Sequence, residues 1–215
     1  CLSGCGQTPR DLPRERALKL AGDDPALREA VQGLLDAPSV SSVAGLAKRA
    51  GPRGGPLGEV VERYLSHSDP QIRLAAIQAL GDLRYAPAEP ALSGLLTHPD
   101  KMFRFAALQA LAKLPKKPPP ATLLTLCVDP DARIRRCAVS LLGSLRDKTL
   151  ASSLLKPLQD PDKEVRLAAI QAMAETGERS VGAEVAKLLK HPNSDVRWTA
   201  ASALGKKFPD DGPHL

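Results

Sequence analysis

An arginine returns every 31 residues through this chain, at Arg73, Arg104, Arg135, Arg166 and Arg197, and the residues around it return too. The copies read DPQIRLAAIQALG from Asp69, DKMFRFAALQALA from Asp100, DARIRRCAVSLLG from Asp131, DKEVRLAAIQAMA from Asp162 and NSDVRWTAASALG from Asn193. A fixed period of this length constrains the fold more than any composition does, because each unit can bury its apolar face only against its neighbours. The expectation is an all-α chain, a right-handed α-solenoid of stacked helical hairpins with a period of 31 residues and about six repeats.

Spacing inside one unit gives the hairpin. On an ideal helix Ile72, Ala75, Ala76, Ala79, Leu80 and Leu83 share one face, while Gln71, Leu74, Gln78 and Gly81 share the other. Upstream lie shorter apolar runs, LGEVVERYL from Leu57, PALSGLL from Pro90, ATLLTLC from Ala121 and GAEVAKLL from Gly182, which supply the first helix of each pair. Asp69, Asp100, Asp131, Asp162 and Asn193 precede the second helix, where a short acceptor side chain caps exposed backbone N–H groups and a negative charge meets the positive end of the helix dipole. Pro70 falls at the first helical position, where proline is tolerated.

The pattern D-P-x-V-R-x-A-A-x-x-A-L-G resembles the HEAT repeat, in the short variety also seen in phycobiliprotein lyases. Five copies match it, and the resemblance covers roughly residues 24–208. A sixth copy, from Asp24 to about Arg53, is degenerate, with Ser42 at the arginine position. The sequence divides into an N-terminal tether at 1–12, a cap helix at 13–23 that hides the open end of the stack, a degenerate repeat at 24–54, five regular repeats at 55–208 and a flexible tail at 209–215. The solenoid, 13–208, is read as one domain, and 43% hydrophobic residues suffice for a continuous core.

The resemblance implies that Arg73, Arg104, Arg135, Arg166 and Arg197 form a structural ladder, pairing with the capping Asp69, Asp100, Asp131 and Asp162 of their own or a neighbouring repeat. It also implies that the next residue along looks onto a concave surface. That column reads Leu74, Phe105, Arg136, Leu167, Trp198, and beside it run Gln78, Gln109, Ser140, Gln171 and Ser202. Large apolar residues at solvent-facing positions mark interaction sites, and uncharged amides beside them suit an extended peptide or a partner helix. Phe105 and Trp198 are the expected anchors.

Leu2-Ser3-Gly4-Cys5 resembles the bacterial lipobox, whose cysteine is cut free and lipidated. The chain begins without an initiator methionine and is read as a processed product or a fragment. Lipidation at Cys1 or Cys5 would tether the solenoid to a membrane in the bacterial periplasm; the alternative is a cytoplasmic protein. Cys127 and Cys137 are read first as small buried hydrophobes, with a disulfide between the two helices of their repeat as the alternative.

Catalytic chemistry finds no foothold. The chain contains no G-x-S-x-G, H-E-x-x-H or Walker loop, and no His-Glu pair of the kind that binds iron in the HEAT-like deoxyhypusine hydroxylases. His67, His98 and His191 share one repeat position near the end of the first helix, where positive charge suits the dipole, and a repeat step of about 10 Å is too long for adjacent copies to share a metal. Gly51-Pro-Arg-Gly-Gly-Pro reads as a flexible inter-repeat loop, and Pro115-Lys-Lys-Pro-Pro-Pro as a stiffened connection.

The functional expectation is a non-enzymatic scaffold without cofactor or metal, monomeric, that binds a protein or peptide. A net charge of +6 admits a second reading, a nucleic-acid module similar to the HEAT-like alkylpurine DNA glycosylases. The outward columns argue against it, since only Arg133 and Arg136 are basic there and Glu164 and Asp195 accompany them. A lyase or chaperone for a tetrapyrrole-bearing protein rests on the repeat resemblance alone.

Overall fold

The computed structural model describes residues 14–176 and 182–207, all of whose regular elements are helical. The proposed tether with Cys1 and Cys5 and the tail at 209–215 lie outside the described residues. The chain forms two compact units that meet in sequence between Lys117 and Pro118. The boundary falls inside Pro115-Lys-Lys-Pro-Pro-Pro, and three successive prolines remove the backbone donors that would carry a helix onward.

In the first unit α1 (Arg14–Leu20) precedes the degenerate hairpin of α2 (Pro25–Asp36) and α3 (Val40–Ala50). Two regular hairpins follow, α4 (Gly58–Glu62) with α5 (Pro70–Asp82) and α6 (Glu89–Gly94) with α7 (Lys101–Lys113). The second unit holds α8 (Pro120–Leu126), α9 (Ala132–Ser144), α10 (Lys163–Thr176), α11 (Gly182–Lys187) and α12 (Ser194–Lys207). The long second helices are regular. The first elements are not: α4, α6 and α11 tighten into 3-10 turns at Arg63–Ser66, Leu95–Thr97 and Leu188–Lys190. Between α9 and α10 the first element is wholly 3-10, Lys148–Leu154 and Pro157–Gln159. Pro157, which cannot continue a helical ladder, interrupts that stretch.

The capping expectation is met at each regular repeat. The carboxylates of Asp69, Asp100, Asp131 and Asp162 accept the backbone N–H two residues on at 2.8–2.9 Å, and Asn193 Oδ1 does the same at 2.8 Å. Pro70 stands at the first position of α5. In the degenerate repeat Ser39 and Ser42 form a reciprocal capping box at the start of α3, so the residue in the arginine position serves the local cap instead.

The core of the first unit is built on Leu34, Leu46, Leu57, Ile77, Leu80, Leu92, Leu108 and Leu111, all fully buried. Leu123, Ile134, Leu142, Val165, Ile170, Met173 and Val185 do the same for the second. Each such side chain contributes about 1.5–3 kcal/mol by leaving water. Helix α5 departs from the one-face reading, since Ile77 and Gly81 are buried along with the expected apolar positions. A Cβ on Gly81 would lie 2.7 Å from Ala110 Cα, so α5 and α7 touch backbone to backbone at that point. Gly143 of α9 makes the equivalent approach to α10, with Ala172 Cα 2.5 Å from where a Cβ would stand.

The segment read as a flexible loop from Gly51 is two successive 3-10 turns, Gly51–Arg53 and Gly55–Leu57. Helices α5 and α9 end on a residue in the left-handed region that is not glycine: Arg84 and Arg146 both have φ of 53°. At the end of α5 the N–H of Arg84 reaches Gly81 O at 3.0 Å and that of Tyr85 reaches Leu80 O at 3.1 Å. These bonds satisfy carbonyls that the helix leaves open.

Candidate interaction surface

The arginine column closes the turn inside each hairpin. Nη1 of Arg73 donates to His67 O and Ser68 O at 2.8 and 3.0 Å, and Arg104, Arg135, Arg166 and Arg197 repeat that pair of bonds at 2.7–3.1 Å. In every regular repeat the arginine thus clamps main-chain carbonyls, a partner that the side-chain pattern does not announce. The caps turn their oxygens to their own helix, where unpaired N–H groups compete for them. Arg135 adds a carboxylate, Asp160, which stands in the next turn two residues before the cap Asp162. Its Nε and Nη2 donate to the two oxygens at 2.8 Å each, with the side chains 13% and 9% exposed. Burial pushes the Asp160 carboxyl up, but the Arg135 hydrogen bond, the Asp162 N–H and the neighbouring guanidinium groups outweigh it and leave it below its ordinary value.

The histidines also take a role that the dipole argument did not give them. His67, His98 and His191 use Nδ1 to accept the N–H of Asp69, Asp100 and Asn193 at 3.0–3.1 Å. Asp129 and Asp160 accept the same N–H in their own repeats at 2.8 Å. The position needs an acceptor rather than a cation. Cys127 and Cys137 are both free, and burial pushes the Cys127 thiol up to about 11, so it behaves as a small apolar group.

The outward column divides between the units. In the first, Leu74 and Phe105 are half-buried, with Gln78 and Gln109 exposed beside them. In the second, Arg136 is exposed, Leu167 half-buried and Trp198 73% exposed, flanked by exposed Ser140 and Gln171 and half-buried Ser202. Neighbouring second helices are in register within each unit, as Lys113 Nζ reaches Asp82 at 2.7 Å and Lys163 Nζ reaches Asp195 at 2.6 Å. Between α10 and α12 this face opens into a cleft of about 270 Å³ lined by Gln171, Ala174, Glu175, Trp198, Thr199, Ser202 and Ala203. The repeat position that is Gly143 in α9 is Ala174 in α10, one of the residues lining the cleft. Sequence reasoning named Trp198, Gln171 and Ser202 but not Glu175, whose carboxylate accepts Gln171 Nε2 at 3.2 Å. Glu175 stands four residues beyond Gln171 and so on the same helix face, which was the available signal.

Among the described residues no group of three or more histidine, cysteine, aspartate or glutamate side chains could hold a metal ion, and no helix is long and apolar enough to cross a membrane.

The chain is similar in fold to repeat proteins. A designed armadillo repeat protein in complex with the peptide (KR)4 superposes with a TM-score of 0.61 at 18% identity, over 90% of this chain and 99% of that one. An engineered protein gives 0.58 at 19% identity, over 93% and 97%. The E. coli protein YIBA gives 0.60 at 17% identity, over 93% and 84%. No curated protein matches the chain. Solenoids of this kind are typically protein-binding scaffolds rather than enzymes. The sequence profile of HEAT repeats matches residues 59–136 and 151–212, and the chain belongs to the HEAT-repeat family.

Proposed function

We propose that the protein is a non-enzymatic scaffold that holds an extended peptide against the outward faces of the long helices of its second unit, with the cleft beside Trp198 as the anchor. One observation carries this reading: an indole 73% exposed on the rim of a cleft, where a side chain of that size would ordinarily be covered. The cleft offers an aromatic face, the Glu175 carboxylate, an amide and two hydroxyls, and no basic residue is among the described residues that line it. That set suits a side chain with an aliphatic stem and a cationic head, held over the ring and facing the carboxylate. The (KR)4 peptide in the similar designed armadillo protein supports a peptide of this class. The test is titration of the full chain with a fluorescent Lys/Arg-alternating peptide and an acidic peptide of equal length. Trp198→Ala should weaken the basic peptide at least tenfold while the helical circular dichroism is kept. Equal binding by both peptides, or no effect of Trp198→Ala, would refute it.

We further propose that Cys1 or Cys5 carries a lipid that holds the scaffold at a bacterial membrane facing the periplasm; the support is the Leu2-Ser3-Gly4-Cys5 tetrapeptide. Intact mass of the product expressed from its full gene decides this. An acyl mass on the first cysteine supports the tether, and an unmodified soluble product returns the nucleic-acid reading to consideration.

A further inference from the structure

The clamp arginines differ in what their remaining donors meet. In the repeat of α9 every nitrogen of the Arg135 guanidinium has a partner: Nη1 holds two carbonyls, and the edge formed by Nε and Nη2 holds Asp160. One repeat later Arg166 makes the same clamp, on Asp160 O and Pro161 O at 2.7 and 3.0 Å, and its Nε is shielded from solvent with no acceptor among the described residues. The residue 31 positions beyond Asp160 is His191, which brings no carboxylate. Its Nδ1 is already occupied by the Asn193 N–H, so the neutral ring carries its proton on Nε2 and can act only as a second donor.

Charge in this turn is also unbalanced. Arg197 donates to His191 O and Pro192 O, and Lys190 lies beside them. Among the described residues Asp160 pairs with Arg135, Asp195 with Lys163 and Glu184 with Lys187. A buried guanidinium donor left unpaired is costly, and native structures supply such groups with a partner.

We infer that the Nε edge of Arg166, beside His191, is a binding site for a small carboxylate anion, which takes the place that the Asp160 carboxylate takes on Arg135. The planar two-oxygen geometry comes from that internal pair, with both bonds at 2.8 Å, and it favours a carboxylate over a tetrahedral or spherical anion. Occupancy would tie the last hairpin to the one before it, as Asp160 ties its own hairpin to that of α9.

The test follows the arginine Nε–H resonances of the 15N-labelled full chain as sodium acetate replaces sodium chloride at constant ionic strength. Arg166→Lys and Arg135→Lys assign the two signals. The Arg166 signal should shift saturably with acetate, while that of Arg135 stays in place. In His191→Asp the Arg166 signal should move towards the Arg135 position before any acetate is added, and the acetate response should vanish. An Arg166 signal unmoved by acetate, an equal response to phosphate or chloride, or an undiminished response in His191→Asp would overturn the inference and leave water as the partner of Nε.

Discussion

Replacing Gly143 by alanine should destabilise the second unit, whereas the same change at Gly205, which occupies the same repeat position two repeats later, should stabilise it. The new methyl on Gly143 would stand 2.5 Å from Ala172 Cα and 2.6 Å from its Cβ. Carbon atoms in contact prefer about 3.5–4.0 Å, so α9 and α10 would have to part by roughly 1 Å. Overpacking of this kind costs about 1–3 kcal/mol, and a helical alanine returns about 1 kcal/mol over glycine. The net loss is therefore up to about 2 kcal/mol, or up to roughly 8 °C in Tm for a chain of this size. A Cβ on Gly205 would meet nothing within 4 Å, which leaves only the propensity gain of about 0.5–1 kcal/mol. Urea titration followed by circular dichroism reads both variants against the parent. If Gly143→Ala proved as stable as Gly205→Ala, the backbone contact between α9 and α10 would not be what sets their separation.

Arg146→Gly should raise stability by about 0.5–1 kcal/mol in the same assay, because glycine adopts a φ of 53° without the strain an arginine carries there; a lower urea midpoint would count against strain at that residue. Asp160→Asn should lower stability by about 1–3 kcal/mol at pH 7, because it removes one partner of a mostly buried pair. The Asp160 carboxyl is held below its ordinary value, so its contribution is complete above about pH 4 and fades as pH falls through the folded value. The parent should therefore lose stability on acidification faster than Asp160→Asn, and parallel pH profiles would rule the pair out as the cause.

The period, the caps and the long second helices were legible because each repeats a local signal: an acceptor, then an arginine four residues on, then a stripe of alanine and leucine. Gly81 was misplaced for a reason that counting along one helix cannot repair. The count presumes a single buried face, and α5 packs against both α3 and α7. The first elements were only partly readable. The four apolar runs skipped the segment between α9 and α10, and that is the first element built wholly of 3-10 turns. The partner of the arginines was hidden because every residue carries a carbonyl, and no side-chain pattern announces one. In the candidate surface Trp198 was legible as an aromatic in an outward column. Glu175 was legible only as a neighbour of Gln171 on one helix face, since what singles it out is a cleft between two helices, and that depends on how far apart they settle.

Because the clamp grips main-chain oxygens, it is indifferent to which side chains the turn displays. The two gripped residues are His67 and Ser68 in one repeat, His98 and Pro99, Asp129 and Pro130, Asp160 and Pro161, and His191 and Pro192 in the others, yet the bonds stay within 2.7–3.1 Å. A unit closed in this way can be copied and its turn rewritten without renegotiating the architecture. Each turn is thus a place at which a lengthening array can acquire new chemistry one repeat at a time, while the fold beneath is inherited intact.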